Sequence, residues 1–119
     1  MKSFVALIAA AGVAVSVASA ASAQDMMTPA EEYFGYRAAV VAYERCNGIR
    51  FNLEQSTALE NRITDLMTGF VSPSQRLAII EDARDEYSSL AYANGCGRND
   101  RLQAALETFE TELSPALGM

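Results

Sequence analysis

Helix start and stop signals recur along this chain and leave little room for other secondary structure. The stretches TPAE at 28–31 and SPSQ at 72–75 each place a hydroxyl residue at the N-cap, proline at the first helical position and Glu or Gln at the third. Asn-Gly pairs at 47–48 and 94–95 are typical of left-handed helix ends. Together with the spacing of apolar residues, these signals predict helices at about 29–46, 53–69, 73–94 and 100–113.

The predicted helices are joined by short connections. No segment shows the sustained alternation of a strand, so the chain is predicted to be all-α. Short connections between amphipathic helices favour antiparallel neighbours. We therefore expect a small four-helix up-down-up-down bundle that forms one helical domain, residues 24–119.

Residues 1–23 have the organisation of a secretory signal peptide. Lys2 supplies a positive start, an uncharged apolar run follows, and Ala21-Ser22-Ala23 is a small-x-small cleavage site of bacterial style. The run is shorter than the roughly 20 apolar residues that a membrane-spanning helix needs. We expect cleavage, no membrane insertion of the cleaved product, and a periplasmic or secreted location.

The two cysteines, Cys46 and Cys96, stand at the predicted ends of the first and third helices. In an up-down-up-down bundle these helices run in the same direction, so their C-terminal ends meet at one pole. An exported protein reaches an oxidising compartment, where disulfides form and persist. We therefore predict a Cys46–Cys96 disulfide that closes a loop of roughly 50 residues.

Other cysteine and histidine chemistry is disfavoured. A redox pair normally has the spacing Cys-x-x-Cys, which this chain lacks. The chain has no histidine, which excludes c-type haem attachment and Ser-His or Cys-His catalysis and leaves too few ligands for a zinc or iron site. We expect no catalytic residue, no metal and no cofactor.

The densest acidic run is EDARDEY at 81–87. Glu81 and Asp85 are four residues apart, as are Asp82 and Glu86, so pairs of carboxylates line one helical face. Such a face can bind a cation or supply an acid/base pair, but no Asp-x-Asp-x-Asp-Gly calcium loop accompanies it. The favoured interpretation is a solvated polar face.

The first helix is apolar around much of its circumference, which is typical of a central helix. One stripe contains Tyr33, Tyr36, Val40 and Tyr43. A second stripe contains Phe34, Ala38 and Val41. One interpretation is that both stripes fill the core beside the disulfide. The other is that the second stripe stays exposed as a partner surface, because exposed apolar patches commonly mark protein contacts.

The charge of the predicted mature chain argues against two classes of partner. Residues 24–119 contain eight arginines, no lysine and fifteen acidic residues, a net charge of −7. Without a basic surplus the protein is a poor binder of nucleic acid. The same charge opposes attachment to anionic lipid.

In layout the chain is similar to the small periplasmic acid-stress chaperones, which are short, helical and joined by two distant cysteines. The resemblance covers the mature length and carries over only Cys46 and Cys96. It implies activation by neutralised carboxylates, since no histidine is present to sense mild acid. The expected signature is an unchanged structure near pH 6 and loosening near pH ~4, where Asp and Glu titrate.

These observations lead to one preferred function and two alternatives. We expect an exported, acidic, non-enzymatic helical module that binds another envelope protein or a second copy of itself. The alternatives are a periplasmic acid-stress chaperone and an enzyme based on carboxylates.

Overall fold

The computed structural model describes residues 27–119, and the predicted signal peptide at 1–23 lies outside the described residues. The helices are α1 (Pro29–Asn47), α2 (Leu53–Leu66), α3 (Pro73–Asn94) and α4 (Asp100–Thr108). A π turn (Phe109–Leu113) and a 3-10 turn (Ser114–Leu117) follow α4. Residues 27–119 contain no strand, so the all-α prediction is confirmed. None of the helices in this range is both long enough and apolar enough to span a membrane.

Reciprocal capping boxes begin the first three helices. Thr28, Asn52 and Ser72 each accept a hydrogen bond from the backbone of the third helical residue, whose side chain bonds back to the cap. Gly48, with φ +61°, ends α1 in the left-handed region that glycine adopts without steric cost. These helix starts are local features of the sequence, and the structure places them where the sequence predicts.

The end of α2 differs from the sequence-based prediction. The helix stops at Leu66, three residues before the predicted end, because Met67 is extended, with ψ 140°. Gly69 is not a left-handed terminator. A Cβ at Gly69 would lie 2.5 Å from Cγ of Pro29, so glycine is needed here for close approach to the start of α1. Phe70, which follows Gly69, is 77% exposed.

The last predicted helix, 100–113, is α-helical only as far as Thr108. The backbone then widens into a π turn. Its first and last residues, Phe109 and Leu113, are fully buried. π bulges reset the phase of a helical face. The 3-10 turn that follows contains Pro115, just beyond the predicted end of the helix at 113.

The core forms two clusters on opposite faces of α1. The larger cluster joins α1 to α2 and the C-terminal turns, and contains Tyr33, Ala39, Val40, Phe51, Leu59, Ile63, Val71, Phe109 and Leu113. The smaller cluster joins α1 to α3 and α4, and contains Ala38, Val41, Ala42, Tyr87, Leu102 and Ala105. α1 is therefore the central helix, as its two apolar stripes predict.

Three aromatic rings stack in the larger cluster. The Phe109 centroid lies 4.1 Å from that of Tyr43 and 5.8 Å from that of Phe51, with interplanar angles of 17° and 11°. Stacked pairs of this kind add about 0.5–1.5 kcal/mol to the gain from burying the rings. The stack joins α1, the connection to α2, and the π turn.

Candidate functional site

The predicted disulfide is present. Cys46, in the last turn of α1, is bonded to Cys96, which follows α3, and their Cα atoms are 5.7 Å apart. The bond joins the C-terminal ends of α1 and α3. We call this region the disulfide end.

The packing corrects the predicted partner surface on Phe34, Ala38 and Val41. Ala38 is 2% exposed and Val41 is 6% exposed, because α3 and α4 cover this stripe of α1. Phe34 is half-buried with its ring edge toward Tyr87, at 6.1 Å between centroids. These side chains fill the core, and they do not form a surface that a partner can contact.

The acidic run lies on the solvent side of α3. Glu81, Asp82, Asp85 and Glu86 are all exposed. Glu86 pairs with Arg101 of α4, whose guanidinium also lies over the ring of Tyr87 at 5.3 Å from the centroid. Within residues 27–119, no three potential metal-ligating side chains come together.

Glu60 of α2 is the centre of a polar network between three helices. Its carboxylate accepts hydrogen bonds from the Tyr33 hydroxyl at 2.7 and 2.8 Å and pairs with Arg37 at 3.2 Å. It also pairs with Arg76 of α3 at 2.7 Å. The Arg76 guanidinium lies 5.1 Å from the centre of the Tyr33 ring, and its Nε donates to the carbonyl of Val71. The network holds α1, α2 and α3 in one arrangement.

The position of Tyr33 predicts sensitivity to alkali. Burial raises the pKa of Tyr33, and the neighbouring Glu60 raises it further. Below about pH 10 the tyrosine is protonated in both the folded and the unfolded protein, so its full contribution to stability is present. Above pH 10 it ionises first in the unfolded chain. We expect the free energy of unfolding then to fall by about 1.4 kcal/mol per pH unit.

Urea unfolding at pH 8 and pH 11 tests this effect. In Tyr33→Phe the loss between the two pH values should be smaller than in the unchanged protein. The pKa of Tyr36 is also raised by burial, and this residue contributes the same loss to the unchanged protein and to Tyr33→Phe. Tyr92→Phe, at an exposed position, is the control and should show the full loss. Equal losses in all three proteins would contradict the assignment.

One cavity places carboxylates together near the start of α1. It has a volume of about 650 Å³, and its lining includes Glu31, Glu32 and Glu112. Glu31 is engaged in the capping box of α1, and the hydrogen bonds from Thr28 lower its pKa. Glu32 accepts a hydrogen bond from the backbone of Thr68 at 2.9 Å. Two of the three carboxylates are thus engaged in hydrogen bonds that stabilise the fold.

The candidate functional site is a set of three exposed apolar side chains at or next to helix ends, on the side of the chain order where α1 and α3 finish and α2 begins. Ile49 lies in the connection after α1, Leu53 is the first residue of α2, and Tyr92 is in the last turn of α3. All three are exposed, Leu53 by 84% and Tyr92 by 95%. We call these three residues the disulfide-end surface. Arg45 borders both the cavity beside Tyr92 and the cavity beside Ile49, and so lies between them.

Sequence reasoning did not single out the disulfide-end surface. Tyr92 is a single aromatic residue between two alanines, and no pattern in the sequence marks it as exposed. The available signal was position, because Tyr92 and Leu53 lie within a turn of helix ends, where neighbouring helices give less cover. Comparison of the chain with protein families, curated proteins and solved structures finds no match.

Proposed function

We propose that the mature chain is an exported, non-enzymatic four-helix bundle that binds another protein through the disulfide-end surface. The observation that carries the proposal is the exposure of Tyr92, which lines a cavity together with Cys96, and of Leu53 at the start of α2. Large exposed apolar side chains on one region commonly mark protein contacts, and tyrosine is enriched in them. The disulfide holds the ends of α1 and α3 together, which lowers the ordering cost of binding.

Side-chain contacts support the up-down-up-down arrangement in this proposal. Near the start of α1, Tyr33 contacts Arg76 early in α3, and near its end Arg45 donates to Ser88 later in α3. α1 and α3 therefore advance in the same direction.

The contacts of α2 run the opposite way along α1. Phe51, just before α2, donates its backbone N–H to Glu44 near the end of α1. Thr68, just after α2, donates to Glu32 near the start of α1. This order favours an antiparallel α2.

The enzyme alternative has less support. A general acid at neutral pH needs a raised pKa, whereas the pKa of Glu31 in the acidic cavity is lowered. The chaperone alternative is favoured by one feature, the Glu60 network. Loss of the Glu60 charge would remove both of its ion pairs and loosen three helices at once. Protection of an unfolded client protein at pH 4 but not at pH 6 would support that alternative over the preferred one.

Affinity capture tests the preferred function. The oxidised protein serves as bait for an envelope extract of the cells that produce it, beside a Leu53→Ser/Tyr92→Ser variant. We expect a partner that is retained by the unchanged protein and lost with the variant. Sedimentation equilibrium of the same two proteins tests whether the partner is a second copy.

The matched control is Phe70→Ser/Leu77→Ser, which makes the same kind of change at exposed positions near the other end of α3. The control should retain the partner. Recovery of no partner by monomeric protein, or equal recovery by all three proteins, would overturn the proposal. Far-UV circular dichroism establishes that the variants keep their helices.

A further inference from the structure

Four arginines line one small cavity near the disulfide end. Arg37 and Arg45 come from α1, Arg50 from the connection to α2, and Arg84 from α3. The cavity has a volume of about 260 Å³. Residues 24–119 contain eight arginines in all, so half of the basic residues of an acidic chain border this one space.

The arginines have few acidic partners. Within residues 27–119, Arg45, Arg50 and Arg84 form no ion pair, although Arg45 donates its Nε to Ser88 at 2.9 Å. Arg37 is paired with Glu60. One carboxylate, Glu44, also lines the cavity.

Glu44 is already engaged. It accepts the backbone N–H of Phe51 at 2.9 Å, which holds the connection after α1 in place. Glu44 is therefore the one carboxylate residue that lines the cavity beside four arginines, of which Arg37 is also paired with Glu60. Gathering like charges in this way opposes folding unless a counter-charge offsets it.

A second observation concerns the Arg37 side chain, one of the four arginines that line the cavity. The Arg37 side chain is mostly buried. Among the buried side-chain nitrogen and oxygen atoms of residues 27–119, its Nε is the one without a hydrogen-bond partner. Leaving a buried donor without a partner costs about 1–3 kcal/mol, and more for a charged group. Arg37 borders the cavity, so this unsatisfied donor belongs to one of the residues that an anion there would contact.

We propose that the arginine cavity binds an oxyanion, the phosphate or carboxylate group of a ligand. Guanidinium groups bind both through paired, charge-assisted hydrogen bonds. The cavity is smaller than the roughly 300–1,000 Å³ of sites for drug-sized ligands, so it fits a small anion or the charged end of a larger molecule. The proposal is independent of the disulfide-end surface, because the anion needs no protein partner.

Titration of the ¹⁵N-labelled oxidised protein with inorganic phosphate, and separately with succinate, tests the site by NMR. We expect saturable shifts of the Arg37 Nε–Hε resonance and of amides at 44–51 with at least one of the two anions. The anion that binds more tightly identifies phosphate or carboxylate as the ligand class. Shifts that do not saturate with either anion would overturn the proposal.

Three charge-matched variants locate the binding. Arg50→Gln and Arg84→Gln change exposed residues of the cavity, and each should weaken binding about fivefold to tenfold. Arg98→Gln removes the same charge from an exposed arginine outside the cavity, and should change affinity less than twofold. Equal weakening by all three variants would mean that general electrostatic attraction, rather than this cavity, holds the anion, and would refute the site.

Discussion

Replacing both Cys46 and Cys96 by alanine is expected to lower the free energy of unfolding by about 4 kcal/mol. The disulfide closes a loop with a sequence separation of 50, and the chain-entropy relation gives about this value for such a loop. An ordinary domain has a total stability of about 5–15 kcal/mol. The double variant should therefore unfold at a much lower urea concentration.

A reductant provides the control for this experiment. It should destabilise the unchanged protein to the level of the double variant and have no effect on the double variant itself. A loss below about 1 kcal/mol would show that packing alone holds the ends of α1 and α3 together. Loss of the disulfide should also separate the elements that carry the disulfide-end surface, and so weaken partner capture.

Phe109→Ala is expected to cost about 3–5 kcal/mol of unfolding free energy. Phe109 is fully buried, stacks on Tyr43 and Phe51, and occupies the π turn at the centre of the larger cluster. Truncation loses both the transfer free energy of the ring and the contacts around the cavity that it leaves. Urea unfolding followed by far-UV circular dichroism measures the loss.

Phe70→Ala makes the identical change at a side chain that is 77% exposed. Its effect should stay within about 0.5 kcal/mol. The chain has no tryptophan, so the near-UV signal of Tyr43 reports on the stack and should weaken only in Phe109→Ala. Similar losses in both variants would contradict the placement of Phe109 in the core.

Features with local causes were predictable from the sequence. The starts of α1 and α3 follow from capping boxes, in which a side chain satisfies backbone groups three residues away. The pairing of Cys46 with Cys96 was also predictable, because it depends only on which helix ends share a pole.

Features that depend on distant residues were not predictable. After the end of α2, Gly69 packs closely against Pro29, forty residues away in the chain, and this contact has no local signal in the sequence. Ala38 and Val41 lie on a stripe that the sequence shows to be apolar, but their burial depends on α3 and α4.

The sequence alone determined the helical class and most helix boundaries, since propensity and capping act between near neighbours in the chain. It also determined the covalent link, because the chain has two cysteines and the predicted order of helices brings both to one pole. Only the tertiary structure decided which apolar residues are covered and which arginines meet. Tyr92 and Tyr87 both lie in α3, yet one is exposed and the other is buried. Whether a side chain is buried depends on which neighbouring helix covers it, and this is decided only when the helices pack together.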